Sequence, residues 1–166
     1  TSVMTSERLG IARIVSEQSP YNLLDRRIEN ELVPACQAHG VGVICWSPLA
    51  MGMLAGRYAQ GRTADTRAAV RGGIYAERVT DAGIRAGSAF AALARQHGLE
   101  PAQAAYAWVI AQPGCCAIAG ARNSEQAVQN AVAGEVTLSP DELAAMDRIG
   151  RTVTDHLDDN PVQWKW

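Results

Sequence analysis

The run Val41-Gly42-Val43-Ile44-Cys45-Trp46 is almost wholly apolar, holds three β-branched residues and stands between Gly40 and Pro48. Its length and β-branching predict a strand, and a strand without polar alternation suits a parallel sheet covered on both faces. Parallel neighbours cannot be joined by a tight turn, so each must be reached through a crossover, usually a helix. The flanking sequence has that form. Residues 13–18 and 115–119 are further strand candidates, the first closed by the Ser19-Pro20 turn and the second opening onto Gly120. Helical spacing recurs at 27–39, 80–97, 101–112, 124–133 and 139–149, with a shorter helix starting near Thr5. Gly40 and Gly98 are helix stops, Thr80 and Ser124 are caps, and Pro101 takes a first helical position. Ser139-Pro140-Asp141-Glu142 reads as a capping box. Residues 50–79 have no clear period and are rich in Gly, Arg and small residues, which predicts a long loop of the kind that usually serves a function.

This order of strands and helices is that of βαβ units and places the chain in the α/β class. A closed (β/α)8 barrel needs about 250 residues, whereas this chain has 166 residues and three candidate strands. It is therefore a small open α/β domain or a portion of a larger fold. A first residue of Thr rather than Met suits a processed, cut or partial product. An open three-stranded sheet leaves two unpaired edges, which favours aggregation or dimerisation.

The 15 basic and 17 acidic side chains leave a formal charge of −2, and the pI is near 5.9. That balance argues against a nucleic-acid partner, which requires a basic stripe. Of the basic residues only Lys165 is a lysine. Chemistry that needs a buried lysine, such as a Schiff base or a Tyr–Lys acid pair, has almost nothing to use. Cys36, Cys45, Cys115 and Cys116 form no CxxC pair and have no His at ligand spacing, so they read as reduced core thiols of a cytoplasmic protein. No stretch is long and apolar enough for a membrane span, and the start lacks a signal-peptide layout. His39, His97 and His156 are scattered and are assigned no catalytic role.

In parallel α/β folds ligands bind at the C-terminal ends of the strands. The residues leaving the three predicted strands are Gln18, then Trp46-Ser47-Pro48-Leu49, then Gly120-Ala121-Arg122. The Gln18 amide suits a ligand carboxamide, or serves the Ser19-Pro20 turn. Trp46 offers a flat face for a heteroaromatic ring, or simply joins the core. At the third exit Gly120 allows close approach, Arg122 is a planar cation, and Ser124 opens a helix whose N-terminus attracts anions. That is a credible phosphate site, and equally an ordinary βα loop with a solvated Arg. Arg26-Arg27 is expected to be a solvated helix entry.

The stretches Gln18-Ser19-Pro20-Tyr21-Asn22-Leu23-Leu24-Asp25-Arg26 and Trp46-Ser47-Pro48-Leu49-Ala50-Met51-Gly52-Met53-Leu54-Ala55-Gly56-Arg57-Tyr58 resemble the aldo-keto reductases. Gly120-Ala121-Arg122-Asn123-Ser124-Glu125-Gln126 with Asn130, and Leu138-Ser139-Pro140-Asp141-Glu142-Leu143, extend the resemblance along essentially the whole chain. The subgroup resembled includes bacterial oxidoreductases and potassium-channel β subunits. The resemblance implies a (β/α)8 TIM barrel that binds NADPH across the C-terminal ends of its strands. Gln18 would hold the nicotinamide carboxamide and Trp46 would stack on the nicotinamide ring. Ser47, Pro48, Leu49, Ala50 and Met51 would line the pyrophosphate, with Arg57 and Arg67 reaching phosphates from the loop. Gly120, Arg122, Gln126 and Asn130 would take the adenosine end, with Arg122 at the 2′-phosphate. Gln129 stands where relatives often have Glu.

The matched segments correspond to the last three βα units and the closing helix, so residues 1–166 are expected to form a partial aldo-keto reductase domain with no catalytic residues of its own. In the family the catalytic Asp, Tyr, Lys and His come from earlier strands, and no such segments occur here. Tyr21 falls at a strand exit rather than at the catalytic position. The expected activity of the complete form is hydride transfer between NADPH and a small-molecule carbonyl, an aldehyde or ketone. The alternative is a non-catalytic NADP(H)-sensing or regulatory module on the same scaffold. The implied partner is the N-terminal half of the barrel, with no metal and with oligomer formation open. Trp164 and Trp166 either cap a substrate pocket or pack on the barrel.

Overall fold

The computed structural model describes residues 2–160. Helix α1 spans Ser2–Leu9, strand β1 Ser16–Pro20, helix α2 Leu32–His39 and strand β2 Gly42–Trp46. After β2 come helices α3 (Arg67–Arg71), α4 (Ile74–Glu77), α5 (Asp81–Gln96) and α6 (Pro101–Ile110). Strand β3 (Cys115–Ala117) and helices α7 (Ser124–Ala131) and α8 (Pro140–Thr154) complete the order. The three strands pair in parallel in the order β1-β2-β3. The sheet is open rather than closed, as three strands require. Among the described residues no helix is long and apolar enough to cross a membrane.

The helix starts follow their local chemistry. The Ser139 hydroxyl accepts from the Glu142 N–H at 3.3 Å, and the Glu142 carboxylate accepts from the Ser139 N–H at 2.7 Å. Thr80 accepts from the Gly83 N–H at 3.0 Å and so caps α5. At α7 the cap is Asn123 rather than Ser124: its side-chain oxygen accepts from the Gln126 N–H at 2.8 Å.

Several element bounds need correction, among them β3, which ends at Ala117 rather than at residue 119. Strand β1 begins at Ser16, not at residue 13, because Ser16 pairs with Gly42, the first residue of β2, and nothing upstream has a strand opposite it. It also runs on through Pro20, whose missing N–H does no harm on an edge strand. The predicted helix at 27–39 is broken into a single 3-10 turn, Arg27–Glu29, and α2. The loop at 50–79 holds two short helices, α3 and α4, too brief for any period to register in the sequence. The helix expected at 139–149 continues to Thr154.

The largest correction concerns the sheet. Strand β2 alternates between half-buried and buried, with Val43 and Cys45 inside and Gly42, Ile44 and Trp46 only partly covered. Among the described residues the other face is covered only in part, by α4 and its end beside Trp46. Cys116 is accordingly exposed, whereas Cys36 and Cys45 are buried. A hydrogen bond with Cys115, and then burial, push the Cys45 thiol far above its usual range. These cysteines are free.

The core under the covered face is built on Trp108, Tyr21, Phe90, Leu23, Ile28, Leu54 and Met146. Two glycines permit its close approaches. A Cβ on Gly87 would lie 2.4 Å from the Met53 carbonyl oxygen, and one on Gly150 would lie 2.3 Å from that of Leu23. Arg26 is not solvated, as its place beside Arg27 suggested, but 8% exposed. Its guanidinium pairs with Glu29 at 2.7 Å and with Asp147 at 2.8 Å, and lies 5.1 Å over the Trp108 ring. The Trp108 indole N–H donates to Asp147 at 3.0 Å, and the Tyr21 hydroxyl donates to Glu29 at 2.5 Å. Asp147 lies 121 residues beyond Arg26, so no local pattern announces the network.

Candidate functional site

Strand register decides which side chains share the less covered face. Gln18 pairs with Ile44, and Pro20 with Trp46. Residues two apart on a strand project to the same side, so Gln18 and Trp46 are diagonal neighbours on that face. Trp46 closes β2, where the sequence placed it, whereas Gln18 is the middle residue of β1 rather than its exit, because the strand runs on to Pro20. They line a hollow of about 430 Å³ together with Ile74, Tyr75 and Arg78. These last three come from α4 and its end, within the stretch read as an aperiodic loop. The sequence carries no signal for them, because their role depends on how that stretch folds back over Trp46.

Asn22 belongs to the motif that begins at Gln18, and the structure shows what it does. Its amide N–H donates to the Ser47 carbonyl at 3.1 Å, and its side-chain oxygen accepts from the Leu24 and Asp25 N–H groups. The Tyr21 N–H donates to the Trp46 carbonyl at 3.1 Å. The first strand exit thus holds the second in place.

The segment Ser47 to Met51 has an unusual backbone. Ser47, Ala50 and Met51 have φ values of 60°, 47° and 58°, the left-handed region that non-glycine residues seldom enter. Such conformations cost about 1–3 kcal/mol each and concentrate at functional sites. Leu49, at φ −92° and ψ 8°, precedes Ala50. A right-handed residue followed by a left-handed one is the backbone pattern from which anion-binding concavities are built. The turn is held by Ala50 N–H to Ser47 C=O at 2.9 Å, Gly52 N–H to Leu49 C=O at 2.9 Å, and the Tyr58 hydroxyl donating to Met51 C=O at 3.3 Å. Pro48 and Ala50 are buried, and Leu49 and Met51 are partly covered.

The third exit is tied together by its own side chains. The Asn130 amide donates to Gly120 C=O at 3.1 Å, and the Gln126 side-chain oxygen accepts from the Arg122 N–H at 3.0 Å. Gly120, Arg122, Gln126 and Asn130 are therefore one unit. Gln129 faces solvent beside them, donating to Glu125 at 3.4 Å. Arg57 and Arg122 are both exposed and meet electrostatically at Asp65. The Asp65 carboxyl sits below its usual range, chiefly through the Thr63 hydroxyl and a backbone N–H, with these two arginines adding to the effect. Arg67 opens α3, and its side chain lies outside the described residues, as do Trp164, Lys165 and Trp166.

A second hollow of about 330 Å³, between Arg26, Arg27 and the end of α8, is lined by charges that already pair with one another. The Tyr21 hydroxyl is committed to Glu29. Burial, then its bond to Glu29, raises its phenol far above the ordinary range. Among the described residues no cluster of His, Cys, Asp and Glu is fit to hold a metal.

The sequence model of the aldo/keto reductase family matches residues 2–151. The chain belongs to the aldo/keto reductase family. Among curated proteins it is 32% identical over 151 residues to a probable voltage-gated potassium channel subunit beta of Oryza sativa subsp. japonica, covering 87% of this chain and 46% of that protein. It is 34% identical over 145 residues to the uncharacterized oxidoreductase YrpG of Bacillus subtilis, covering 87% of this chain and 43% of that protein. The protein tas of Escherichia coli is 33% identical over 153 residues, 90% of this chain and 43% of its own length. The chain spans less than half the length of these relatives.

Proposed function

We propose that this chain is the NADPH-binding portion of an aldo-keto reductase-like oxidoreductase that transfers hydride between NADPH and an aldehyde or ketone. On this reading it supplies the last three βα units of a barrel, and the proton-donating residues lie outside these 166 residues. The observation that supports it most directly is the order of groups along one edge of the sheet. An amide and an indole share a hollow, a backbone concavity follows the indole, and an arginine-bearing loop ends the row.

These groups fit an extended dinucleotide phosphate. Gln18 can both donate to and accept from a carboxamide, which fixes one orientation of a planar ring. Trp46 presents an apolar surface that excludes water from one side of that ring. The turn at Ser47 to Met51 is already strained into place, so no ordering is left for the binding step. Arg57 and Arg67 supply charge from the long loop, and Arg122 supplies a planar fork suited to a 2′-phosphate. Gln126 and Asn130 keep that loop in shape for the adenosine end, with Gln129 at its margin. When bound, NADPH supplies the hydride that a carbonyl carbon accepts. The resemblance to a channel β subunit keeps a second reading open, an NADP(H)-sensing module without turnover.

The purified chain should bind NADPH weakly, and NADH more weakly still, with no reductase activity of its own. Calorimetric titration of both cofactors, with and without Arg122→Ala, tests this. Loss of the preference for NADPH in the variant supports the reading. Equal loss for both cofactors, or carbonyl-dependent NADPH oxidation by the chain alone, overturns it.

A further inference from the structure

Among the described residues the best-covered arginines are matched except one. Arg26 donates from Nε, Nη1 and Nη2 to Glu29 and Asp147. Arg27 donates to both oxygens of Asp25 and onward to Asp158. Arg78 differs. Its Nη2 is buried and has no hydrogen-bond partner among the described residues. Its guanidinium stands 5.3 Å from the centre of the Trp46 ring and lines the same hollow as Gln18. The groups that favour its charge are the Tyr75 phenol and then Asp25, which is already gripped by Arg27.

A buried donor left unmatched is costly, and a charged one more so. Proteins keep such groups where something else completes them. The backbone around Arg78 is firmly held. The Val79 carbonyl accepts from Arg62 at 2.8 Å, Arg62 pairs with Asp81 at 2.9 Å, and Thr80 caps α5. A cation at the side of an aromatic floor is a preformed receptor for an anion. The hollow has room for a small molecule only.

We propose that Arg78 is a specificity-determining residue that anchors the anionic group, carboxylate or phosphate, of a small carbonyl substrate held beside Gln18 and Trp46. This rests on the oxidoreductase reading above. Burial, the largest influence on this guanidinium, weakens its hold on its proton, so an arriving anion restores what desolvation removed.

The test is a titration of the isotopically labelled 166-residue chain, followed at the Trp46 indole and Arg78 guanidinium NMR signals. The probes are pyruvate against acetone, and dihydroxyacetone phosphate against dihydroxyacetone. Each anionic probe should bind at least about tenfold more tightly than its neutral partner, as a charge-assisted hydrogen bond implies. Arg78→Gln should abolish that preference and Arg78→Lys should keep part of it. A purely structural role would alter unfolding and leave the anionic-to-neutral ratio in place. No preference in the wild-type chain, or one that survives in Arg78→Gln, overturns the proposal. NADPH added to the same samples separates the two readings. If Arg78→Gln loses NADPH binding but keeps its preference among ketones, Arg78 belongs to the cofactor and the proposal falls. If NADPH leaves the wild-type chain unaffected while the anionic ketones keep their preference, the cofactor reading falls and the anion site stands.

Discussion

On the covered face of the sheet Val43 and Cys45 lie within the core that contains Phe90 and Trp108. On the other face Gln18, Ile44, Trp46 and Cys116 are half-buried or exposed, although the same three strands carry them. The first set is apolar and closely packed. The second mixes an amide, an indole and a thiol, and ends at a hollow with an unmatched cation. One face carries stability and the other carries recognition, so substitutions on the two should separate cleanly.

The largest effect belongs to the covered face. Trp108→Ala removes a fully buried ring that also supports Arg26 and Asp147, and should cost about 3–5 kcal/mol. Chemical denaturation checks it; a loss below about 1 kcal/mol would mean that the core is not organised around this residue. Gly87→Ala comes next. Its Cβ would meet the Met53 carbonyl at 2.4 Å, and overpacking of this kind costs about 1–3 kcal/mol. An unchanged denaturation midpoint would show that α5 can slide away from Met53.

Ser139→Ala removes the α8 cap, at about 1 kcal/mol. The same cap sets a pH dependence. The Glu142 carboxyl is held below its usual range, first by the Ser139 N–H and hydroxyl, then by His97. A depressed carboxyl contributes stability above its unfolded pKa and loses it as pH falls through the lower folded value. The start of α8 should therefore loosen in the acid range below the ordinary Glu value of about 4.3. Hydrogen exchange of the first α8 amides, compared with Glu142→Gln, reads this directly. Protection that is insensitive to pH in the wild-type chain would remove the carboxylate from the cap.

The smallest change in stability should come from the open face. Trp46→Ala is expected to cost less than about 1 kcal/mol, because half-buried surface is lost and no cavity is made. It should nonetheless weaken NADPH binding. If instead it destabilises the chain as Trp108→Ala does, the contrast between the two faces fails.

Much of the fold was legible because it was local. The β-branched run at 41–46, the stop at Gly40, the cap at Thr80 and the box at Ser139 each act within a few residues. The strand exits followed, since every parallel sheet presents its C-terminal ends together. What was missed was non-local. Arg26 looked like a solvated residue until Asp147 was brought to it, and α4 had too few residues to show a period. Cys116 read as core because the sequence cannot say that one face of its strand is left uncovered.

The α/β class, the parallel strands implied by the crossovers, and the exits at Trp46 and Gly120 could all be read from the chain's residues, because strand length, capping and turn chemistry are short-range. The tertiary structure alone decided which face those residues share, which arginine is satisfied and which is not, and that Ser47, Ala50 and Met51 take left-handed backbone. Those outcomes depend on strand register and on partners far away in the chain. Register and distant partners are set by packing, which no local pattern encodes.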